Sequence, residues 1–483
     1  MMSSEGSSLA RGASRRPLWM LAAGVFATIG SCGSDAGTAL VSGPPHADQE
    51  APVLVIGMDG LEWDLLLPLL DSGDLPNMAK MMGRGAFGFL DTLHPTWSPR
   101  IWTSVATGKE PEEHGVLDFV HYSEDRTPLS LYTSEDRKVK AWWNILSEYG
   151  IQNDTIGWWM TFPVEPVDGV MVAQTNAPLG GNGPSKGLLR EGVPAQVYPA
   201  ALEQQVFDLM GQAEESLDLT LKEIFGSPEI FDDEARERWE DCRWAFRADS
   251  TYLAIALEQA KSGPAPLTAV YFGGTDVVGH RFFAAYKPEE FDLPEDGDEV
   301  RVFGDVIPAY YRYMDRVLGE LVAAWPEDTT YFVLSDHGMV SQHEEVESRG
   351  GLHAKRKDGK TNMTHTGGHG RGEPGVLFAA GPLIQDTQAL APASQARDQL
   401  PTLGSVLDLC PTLLTIFGVP IASDMAGESL KDLLVASVTV LPAIPTHDDA
   451  DWLANRPHTG LQPIDSAGRI DQLGDLGYLD EDE

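Results

Sequence analysis

Cysteine is scarce in this chain, which has only Cys32, Cys242 and Cys410 among its 483 residues. Three cysteines at such wide spacing make neither a disulfide framework nor a zinc knuckle, so packing must hold the fold together. We expect Cys242 and Cys410 to be ordinary buried or partly buried thiols.

Basic residues are also few, because 34 lysines and arginines stand against 73 aspartates and glutamates, for a formal net charge of −39. A chain this acidic is repelled by DNA, RNA and anionic lipid surfaces, which argues against a nucleic-acid polymer as partner. Apolar residues make up 42% of the sequence, enough for a large core in one big domain or in two to three smaller ones.

The uncharged run over residues 17–31 is too short to span a membrane, which takes roughly 20 residues. It follows Arg11, Arg15 and Arg16, and this order of charged and then apolar residues matches a secretory signal. Its end, Ile29-Gly-Ser-Cys32, resembles a bacterial lipobox with Cys32 as the lipid-modified first mature residue, and residues 14–18 resemble a twin-arginine signal. A plain signal peptide with an incidental cysteine is the alternative.

We therefore expect residues 1–31 to be a signal peptide of the lipoprotein type and residues 32–50 to be a flexible tether. On this interpretation the protein is exported to the periplasm or cell envelope. An N-terminal lipid anchor would then hold it to a membrane.

Short apolar runs of the kind that form buried strands recur along the rest of the chain. They lie at Pro52–Met58, Leu267–Phe272, Thr330–Leu334 and Gly375–Ala380. Between them lie stretches with apolar residues near helical spacing, such as residues 200–210, 248–260 and 310–324. Strands that alternate with helices predict an α/β fold with a largely parallel sheet.

Polar side chains that can bind metal lie around the ends of these runs. Three are aspartates and three are histidines: Asp59, Asp276, Asp336, His280, His337 and His369. Any one of them alone is more often a turn former or a helix cap. Because ligand sites in α/β folds gather at the carboxyl ends of strands, we expect the set to converge on two zinc ions. The absence of sulfur from the set argues against a structural zinc site.

A two-metal site also needs a reacting group, and residues 94–108 are rich in hydroxyl side chains. Ser98 lies in this segment, after an expected helix near residues 75–82 and an expected strand near residues 86–92. Taken alone, Ser98-Pro99 would be the start of a helix.

Together these motifs resemble the type I phosphodiesterase/nucleotide pyrophosphatase branch of the alkaline phosphatase superfamily, over about residues 53–427. The motifs that carry the resemblance stand in family order: Val55-Ile-Gly-Met-Asp59-Gly, Pro95-Thr-Trp-Ser98-Pro with Thr107-Gly108, His114-Gly115, Asp276-Val-Val-Gly-His280, Ser335-Asp-His337-Gly and His369.

The resemblance implies a site with two divalent metal ions, for which zinc is favoured and manganese is the alternative. One ion would be held by Asp59, Asp336 and His337, with Ser98 as the bridging nucleophile. The other would be held by three further residues: Asp276, His280 and His369.

The resemblance also decides between neighbouring candidates. Ser98 is preferred to Thr96 and Thr103 because it precedes Thr107-Gly108 by the family's spacing of nine residues. His369 is preferred to His365 because its Gly-Gly-His-Gly setting fits better before the strand at 375–380.

The fold implied is the alkaline-phosphatase-like three-layer sandwich, with a mostly parallel central sheet flanked by helices. The catalytic domain would span residues 51–440. Residues 178–265 would form a helical cap insertion over the site, residues 339–374 a long loop, and residues 441–483 an acidic C-terminal tail.

Phe119 departs from the family's pattern, and Arg100 has a role that the pattern does not decide. Phe119 stands where nucleotide pyrophosphatases of eukaryotes have an asparagine that contacts phosphate, which weakens a prediction of nucleotide specificity. Arg100, two residues after Ser98, could contact a phosphate oxygen as a catalytic residue or could pair on the surface. In the long loop, Arg349, Lys355, Arg356, Lys357 and Lys360 could form a funnel for an anionic substrate or a solvated surface.

The function that we expect is metal-dependent hydrolysis of a small phosphate ester through a covalent intermediate on Ser98. The alternatives are a phosphomonoesterase and a phosphoryl or phosphoethanolamine transferase that acts on an envelope lipid or glycan. A sulfatase is less favoured because Pro99 and Arg100 have the wrong spacing from Ser98 for that branch. A non-catalytic ligand-binding lipoprotein is disfavoured because no expected metal ligand is missing, and the oligomeric state is left open.

Overall fold

The structure, a computed structural model, describes residues 51–125, 127–174, 189, 193–226, 233–348, 350–355, 363, 365–385, 396–456 and 459. The signal peptide and tether predicted for residues 1–50 lie outside these residues. Among the helices that the structure describes, none combines the length and the apolar character needed to cross a membrane.

The described residues form thirteen strands. In chain order they are β1 Val53–Met58, β2 Gly85–Asp91, β3 Val120–Tyr122, β4 Pro128–Leu131, β5 Asn153–Ile156, β6 Met171–Val172, β7 Val197–Tyr198, β8 Leu267–Phe272, β9 Thr330–Leu334, β10 Val340–Ser341, β11 Gly367–Gly368, β12 Gly375–Ala380 and β13 Thr402–Ser405. The four apolar runs singled out in the sequence are therefore strands β1, β8, β9 and β12.

Nine of these strands form one sheet in the order β13-β2-β12-β9-β1-β8-β5-β6-β7. Strand β1 lies at its centre and pairs in parallel with β8 on one side and β9 on the other. Strands β12 and β7 run antiparallel to their neighbours, and the remaining pairs are parallel. The predicted mostly parallel sheet is confirmed.

Thirteen α-helices are described around the sheet. They are α1 Trp63–Ser72, α2 Pro76–Met82, α3 Ser98–Thr107, α4 Pro111–His114, α5 Trp142–Glu148, α6 Glu203–Phe225, α7 Asp233–Lys261, α8 Gly274–Tyr286, α9 Asp298–Phe303, α10 Val306–Ala324, α11 His343–Ser348, α12 Leu409–Ile416 and α13 Ala450–Asn455.

The core lies on both faces of the sheet, because successive side chains of a strand point in opposite directions. Along β1, Leu54 and Ile56 join one buried cluster, and Val53 and Val55 join the other. The first cluster takes in the apolar faces of α1, α2 and α6 to α10, and the second takes in those of α3, α5 and α12. The fold is thus an α/β sandwich of three layers, as predicted.

The segment predicted as a helical cap insertion, residues 178–265, contains the long helices α6 and α7. Their buried side chains belong to the same cluster as those of α8 and α10, so these helices are part of one flanking layer. Residues 175–188, 190–192 and 227–232 lie outside the described part of the chain, and a position over the site stays a prediction.

The long loop at 339–374 is not irregular throughout. It contains helix α11 and the antiparallel pair of β10 with β11. Of the basic residues singled out there, Lys355 is exposed, and Arg349, Arg356, Lys357 and Lys360 lie outside the described residues. The funnel therefore stays a prediction.

A buried ion-pair network ties the chain after α13 to the core. The Glu165 carboxylate accepts hydrogen bonds from Arg137 and from Trp143 Nε1, and it lies 3.1 Å from Arg456 Nη2. All four side chains are buried. Although burial opposes ionisation, the two guanidinium groups hold the pKa of Glu165 below its usual value. Glu165 thus compensates two buried positive charges.

We predict that Glu165→Gln lowers the free energy of unfolding by about 3–5 kcal/mol, because it removes the carboxylate with which both buried guanidinium groups pair. Urea denaturation monitored by circular dichroism measures this change. The matched control is Glu223→Gln, since Glu223 pairs with Arg316 on the surface and such pairs contribute only about 0–1 kcal/mol. Equal midpoints for the two variants would contradict the interpretation.

Candidate metal centre

The polar residues predicted to bind metal converge at one edge of the sheet. Asp59 directly follows β1, Asp336 and His337 follow β9, and Asp276 lies in the first turn of α8, just after β8. These three strands are neighbours and run parallel, so their carboxyl ends meet at the same edge. His369 reaches that edge from the opposite direction, because it precedes the antiparallel strand β12.

Asp59, Asp336 and His337 form what we call the first group. His337 Nε2 lies 3.4 Å from Asp59 Oδ1 and 3.4 Å from Asp336 Oδ2. All three side chains are at most 2% exposed. The sequence brings these residues together from two strands that are some 270 positions apart along the chain.

Asp276, His280 and His369 form the second group. Asp276 Oδ1 lies 3.3 Å from His280 Nε2 and 3.1 Å from His369 Nε2, and the two histidine Nε2 atoms are 3.0 Å apart. The ligand atoms of Asp276, His337 and His369 also lie within 4.8 Å of one another, so the two groups adjoin.

The donor atoms of both groups suit a metal ion such as zinc. Nitrogen and oxygen ligands at about 2.0–2.2 Å from a tetrahedral ion are about 3.3–3.5 Å apart, close to the 3.0–3.4 Å separations found here. In the described part of the chain, Asp59 Oδ1, both Asp336 carboxylate oxygens and His337 Nε2 are buried without a hydrogen bond. Buried polar atoms without partners are costly, and a bound cation would satisfy them.

The histidines of the second group also present polar atoms that a cation would satisfy. His280 Nδ1 is 2.8 Å from the Gly367 carbonyl oxygen, and His369 Nδ1 is 2.8 Å from that of Thr96. A carbonyl only accepts, so each Nδ1 donates to its carbonyl, and each Nε2 is left to face Asp276 Oδ1 and the other ring. Two ring nitrogens and a carboxylate oxygen that lie 3.0–3.3 Å apart require a proton or a cation among them.

The buried carboxylates of the centre lie so close together that their negative charges repel one another. Burial and the charge of Asp276 raise the pKa of Asp59 to about 6. Burial and the charge of Asp59 raise the pKa of Asp336 well above its usual value. Asp276 differs, because the two histidines of its own group hold its pKa well below the usual value in spite of burial. A divalent cation would relieve the repulsion between the carboxylates.

Neighbouring side chains orient Asp59. Trp102 Nε1 donates a hydrogen bond of 3.0 Å to Asp59 Oδ2, and the Tyr271 hydroxyl donates one of 2.6 Å to the same oxygen. With Oδ2 held in this way, Oδ1 is the oxygen that faces His337 Nε2. Hydrogen bonds of this kind fix the direction of a metal ligand.

The Gly60 backbone allows the two groups to approach. Gly60 has a positive φ of 69°, and a Cβ atom there would lie 2.9 Å from the Cα of Asp276. A side chain at this position would therefore push α8 away from the end of β1.

Ser98 begins helix α3 and is buried. Its neighbours in the chain touch both groups, since Trp102 contacts Asp59 and the Thr96 carbonyl accepts a hydrogen bond from His369. Thr103 is occupied within the helix, where its hydroxyl donates to the Pro99 carbonyl at 2.6 Å. Ser98 therefore stands in the chain between two residues that contact the groups, and the choice of Ser98 over Thr96 still depends on the spacing.

Arg100 is the third residue of α3. Its Nη2 atom lies 3.6 Å from the carboxylate of Glu112, which is exposed. The Arg100 side chain is only 13% exposed, and both roles that the sequence left open for it stay predictions. Phe119 is buried and packs edge-on against Trp159 with ring centroids 5.7 Å apart.

Sequence reasoning missed Trp102, Tyr271 and Asp249. Trp102 had a detectable signal, because it stands one helical turn after Ser98 and therefore on the same face of α3. Tyr271 is the last residue but one of β8, and its position gave no sign of a bond to Asp59. Asp249, in α7, accepts hydrogen bonds from the backbone at the start of α8.

Comparison with known proteins places these residues in a family context. The sequence model of the family described as type I phosphodiesterase / nucleotide pyrophosphatase matches residues 53–380. This range includes every residue of both groups and Ser98. A comparison with curated proteins gives no match.

Solved structures show remote likeness. Murine ectonucleotide pyrophosphatase / phosphodiesterase 5 is 14% identical, with 79% of this chain and 100% of that chain covered and a TM-score of 0.44. Phosphonoacetate hydrolase from Sinorhizobium meliloti is 14% identical, with 66% and 60% covered and a TM-score of 0.38. A putative sulfatase from Bacteroides thetaiotaomicron is 12% identical, with 83% and 77% covered and a TM-score of 0.45.

We predict that Trp102→Phe weakens zinc binding roughly 10-fold, because Asp59 loses one of the two donors that orient it. Competition with a chelating dye measures the affinity. Trp63→Phe is the matched control, since Trp63 is equally buried and donates its Nε1 proton to the Gly88 carbonyl. Unchanged zinc affinity in Trp102→Phe, or an equal loss in both variants, would show that the hydrogen bond to Asp59 does not matter.

Proposed function

The chain belongs to the type I phosphodiesterase / nucleotide pyrophosphatase family, and from this premise we propose that it hydrolyses phosphate esters with Ser98 as nucleophile at a two-zinc centre. Membership of the family makes the chain a metal-dependent phosphoric ester hydrolase. The proposal adds the identity of the nucleophile and of the metal.

One observation carries the proposal: two adjoining groups of carboxylates and imidazoles flank the start of the helix that bears Ser98. A serine hydroxyl is a weak nucleophile at neutral pH and needs activation. Bound divalent cations would supply that activation and would offset the negative charge that develops on the phosphoryl oxygens. Asp59, Asp336 and His337 would hold one cation, and Asp276, His280 and His369 the other.

The residues of the chain then act in two steps. In the first, Ser98 Oγ attacks phosphorus, its proton is released to solvent, and the bond from phosphorus to the leaving alcohol oxygen breaks while that oxygen takes up a proton. In the second, a water oxygen attacks phosphorus and loses a proton to solvent, and the bond to Ser98 Oγ breaks while Oγ takes up a proton, which restores the hydroxyl. The N-terminus of α3 favours both steps, because the positive end of a helix dipole stabilises negative charge.

Zinc is proposed because the donors are imidazole nitrogens and carboxylate oxygens, a set that zinc accepts in catalytic sites. Manganese is the alternative with the same donors. The ligand that would complete each cation's shell would come from Ser98, water or substrate.

We also propose that the substrate is a small phosphate ester rather than a nucleic-acid polymer, since the net charge of −39 repels polyanions. The proposed place of action is the periplasm or cell envelope, with the protein held by a lipid on Cys32. This follows from the sequence pattern over residues 11–32.

The anchor has its own test. In a bacterial host, the full chain is expected in the membrane fraction, and Cys32→Ser in the soluble fraction, because the variant lacks the thiol that takes the lipid. Cys242→Ser, which leaves the N-terminal region intact, is the control. Recovery of Cys32→Ser with the membranes would favour a different mode of attachment.

The nucleophile is tested by Ser98→Ala in the full chain. Wild type is expected to bind about two zinc ions per chain, measured by mass spectrometry of metal content, and to turn over a p-nitrophenyl phosphate monoester or diester. Ser98→Ala should lose this turnover by roughly three orders of magnitude or more, because no attacking oxygen is left.

Thr96→Val and Ser98→Thr complete the experiment. Thr96→Val should keep most of the activity, and Ser98→Thr should keep more than Ser98→Ala because it retains a hydroxyl. Loss in Thr96→Val with activity kept in Ser98→Ala would transfer the role to Thr96. A chain that binds zinc yet cleaves neither phosphate ester nor p-nitrophenyl sulfate would favour transfer to an acceptor in the envelope, and a chain without metal would refute the site.

A further inference from the structure

Helix α8 carries Asp276 and His280 of the second group, and its N-terminus has no cap of its own. The residue that caps it is Gly273, which has no side chain to accept a hydrogen bond from the first-turn amides. Uncapped amides in a buried helix start are costly, so a partner must come from elsewhere in the fold.

Asp249 of helix α7 supplies that partner. Its Oδ1 accepts a hydrogen bond of 3.0 Å from Gly273 N–H, and its Oδ2 accepts one of 3.0 Å from Gly274 N–H. The Tyr310 hydroxyl of α10 donates to Oδ2 as well. Asp249 is 1% exposed, so each of these bonds forms away from bulk water.

Steric fit at Gly274 reinforces this contact. A Cβ atom on Gly274 would lie 1.9 Å from the Tyr310 hydroxyl oxygen and 2.7 Å from Asp249 Oδ2. Only glycine lets the start of α8 come this close to α7 and α10. The carboxylate therefore holds the backbone two residues before Asp276.

We propose that Asp249 is a positioning residue for the second metal group. It touches neither substrate nor metal and acts through α8, whose first turn directs Asp276 and whose second turn directs His280. The inference rests on the proposed function, because it requires that the second group binds a cation. It gives the helical segment predicted as a cap insertion a part in building the metal centre.

A matched control exists within the same protein. Asp315 of α10 is 2% exposed and accepts hydrogen bonds from the first-turn amides of α2, at 3.0 Å from Asn77 N–H and 2.7 Å from Met78 N–H. Helix α2 carries no residue of either metal group. Asp249 and Asp315 thus share the same chemistry, and only one of them serves a helix with proposed metal ligands.

The experiment compares Asp249→Asn with Asp315→Asn in the full chain, with zinc as the probe. A carboxamide can accept through its oxygen but not through its nitrogen. Asp249→Asn therefore loses the acceptor of one helix amide, whereas Asp315→Asn loses Oδ2, which accepts from Asn77 Nδ2 and shares the Asn77 N–H with Oδ1. Zinc affinities are measured by chelator competition, and Asp276→Ala identifies the affinity that belongs to the second group. Circular dichroism verifies that each variant is folded.

We expect Asp249→Asn to weaken zinc binding at the second group roughly 10-fold and to leave the first group unchanged, whereas Asp315→Asn changes neither affinity. Tyr310→Phe, a milder change that only removes the hydroxyl donor to Asp249, should weaken the same site by a smaller factor. It keeps the test open if Asp249→Asn does not fold.

Three results would overturn the proposal. Unchanged zinc affinity in Asp249→Asn, or in Tyr310→Phe where it replaces that variant, would refute the positioning role alone, provided that Asp276→Ala loses one zinc ion. An equal loss in Asp315→Asn would reduce the effect to general destabilisation. Zinc binding that is the same in Asp276→Ala as in wild type would refute the second group itself and, with it, the proposed function.

Discussion

The concentration of like charge at the end of the central strands is the constraint on which the rest of the structure depends. Three neighbouring parallel strands each lead into a buried aspartate, Asp59, Asp276 or Asp336. Parallel strands in register bring their carboxyl ends together, so the same geometry that makes the sheet also forces these carboxylates against one another. A fold that buries them must provide compensating positive charge, and the histidines together with bound cations are the compensation that the side chains allow.

The two helical layers share the task of holding this charge in place. From one layer, Trp102 of α3 donates to Asp59, and the same helix begins at Ser98. From the other layer, Asp249 of α7 accepts from the start of α8, which carries Asp276. The centre is therefore fixed on both faces of the sheet.

The sequence predicts the strands and helices whose pattern of apolar residues lies within a single segment of the chain. The apolar runs that became β1, β8 and β9 are each followed within four residues by their aspartates, and helices α2 and α10 lie close to their predicted bounds. Contacts between distant segments had no such signal. Nothing near Asp249 shows that it meets Gly273, and nothing in Arg100 shows that it lies beside Glu112, because both contacts depend on how separate helices pack.

His369 shows why the direction of a strand matters to such predictions. A rule that looks for ligands after strands finds Asp59, Asp276 and Asp336, but it fails at β12, which runs antiparallel to β9. The carboxyl end of β9 and the amino end of β12 lie at the same edge of the sheet. A ligand on β12 must therefore precede that strand in the chain. In the sequence, His369 stands out as a residue before the run at 375–380, and only the resemblance to a family motif prefers it to His365. A prediction from strand pattern alone would need the sheet order first, since the sheet order decides which end of each run faces the site.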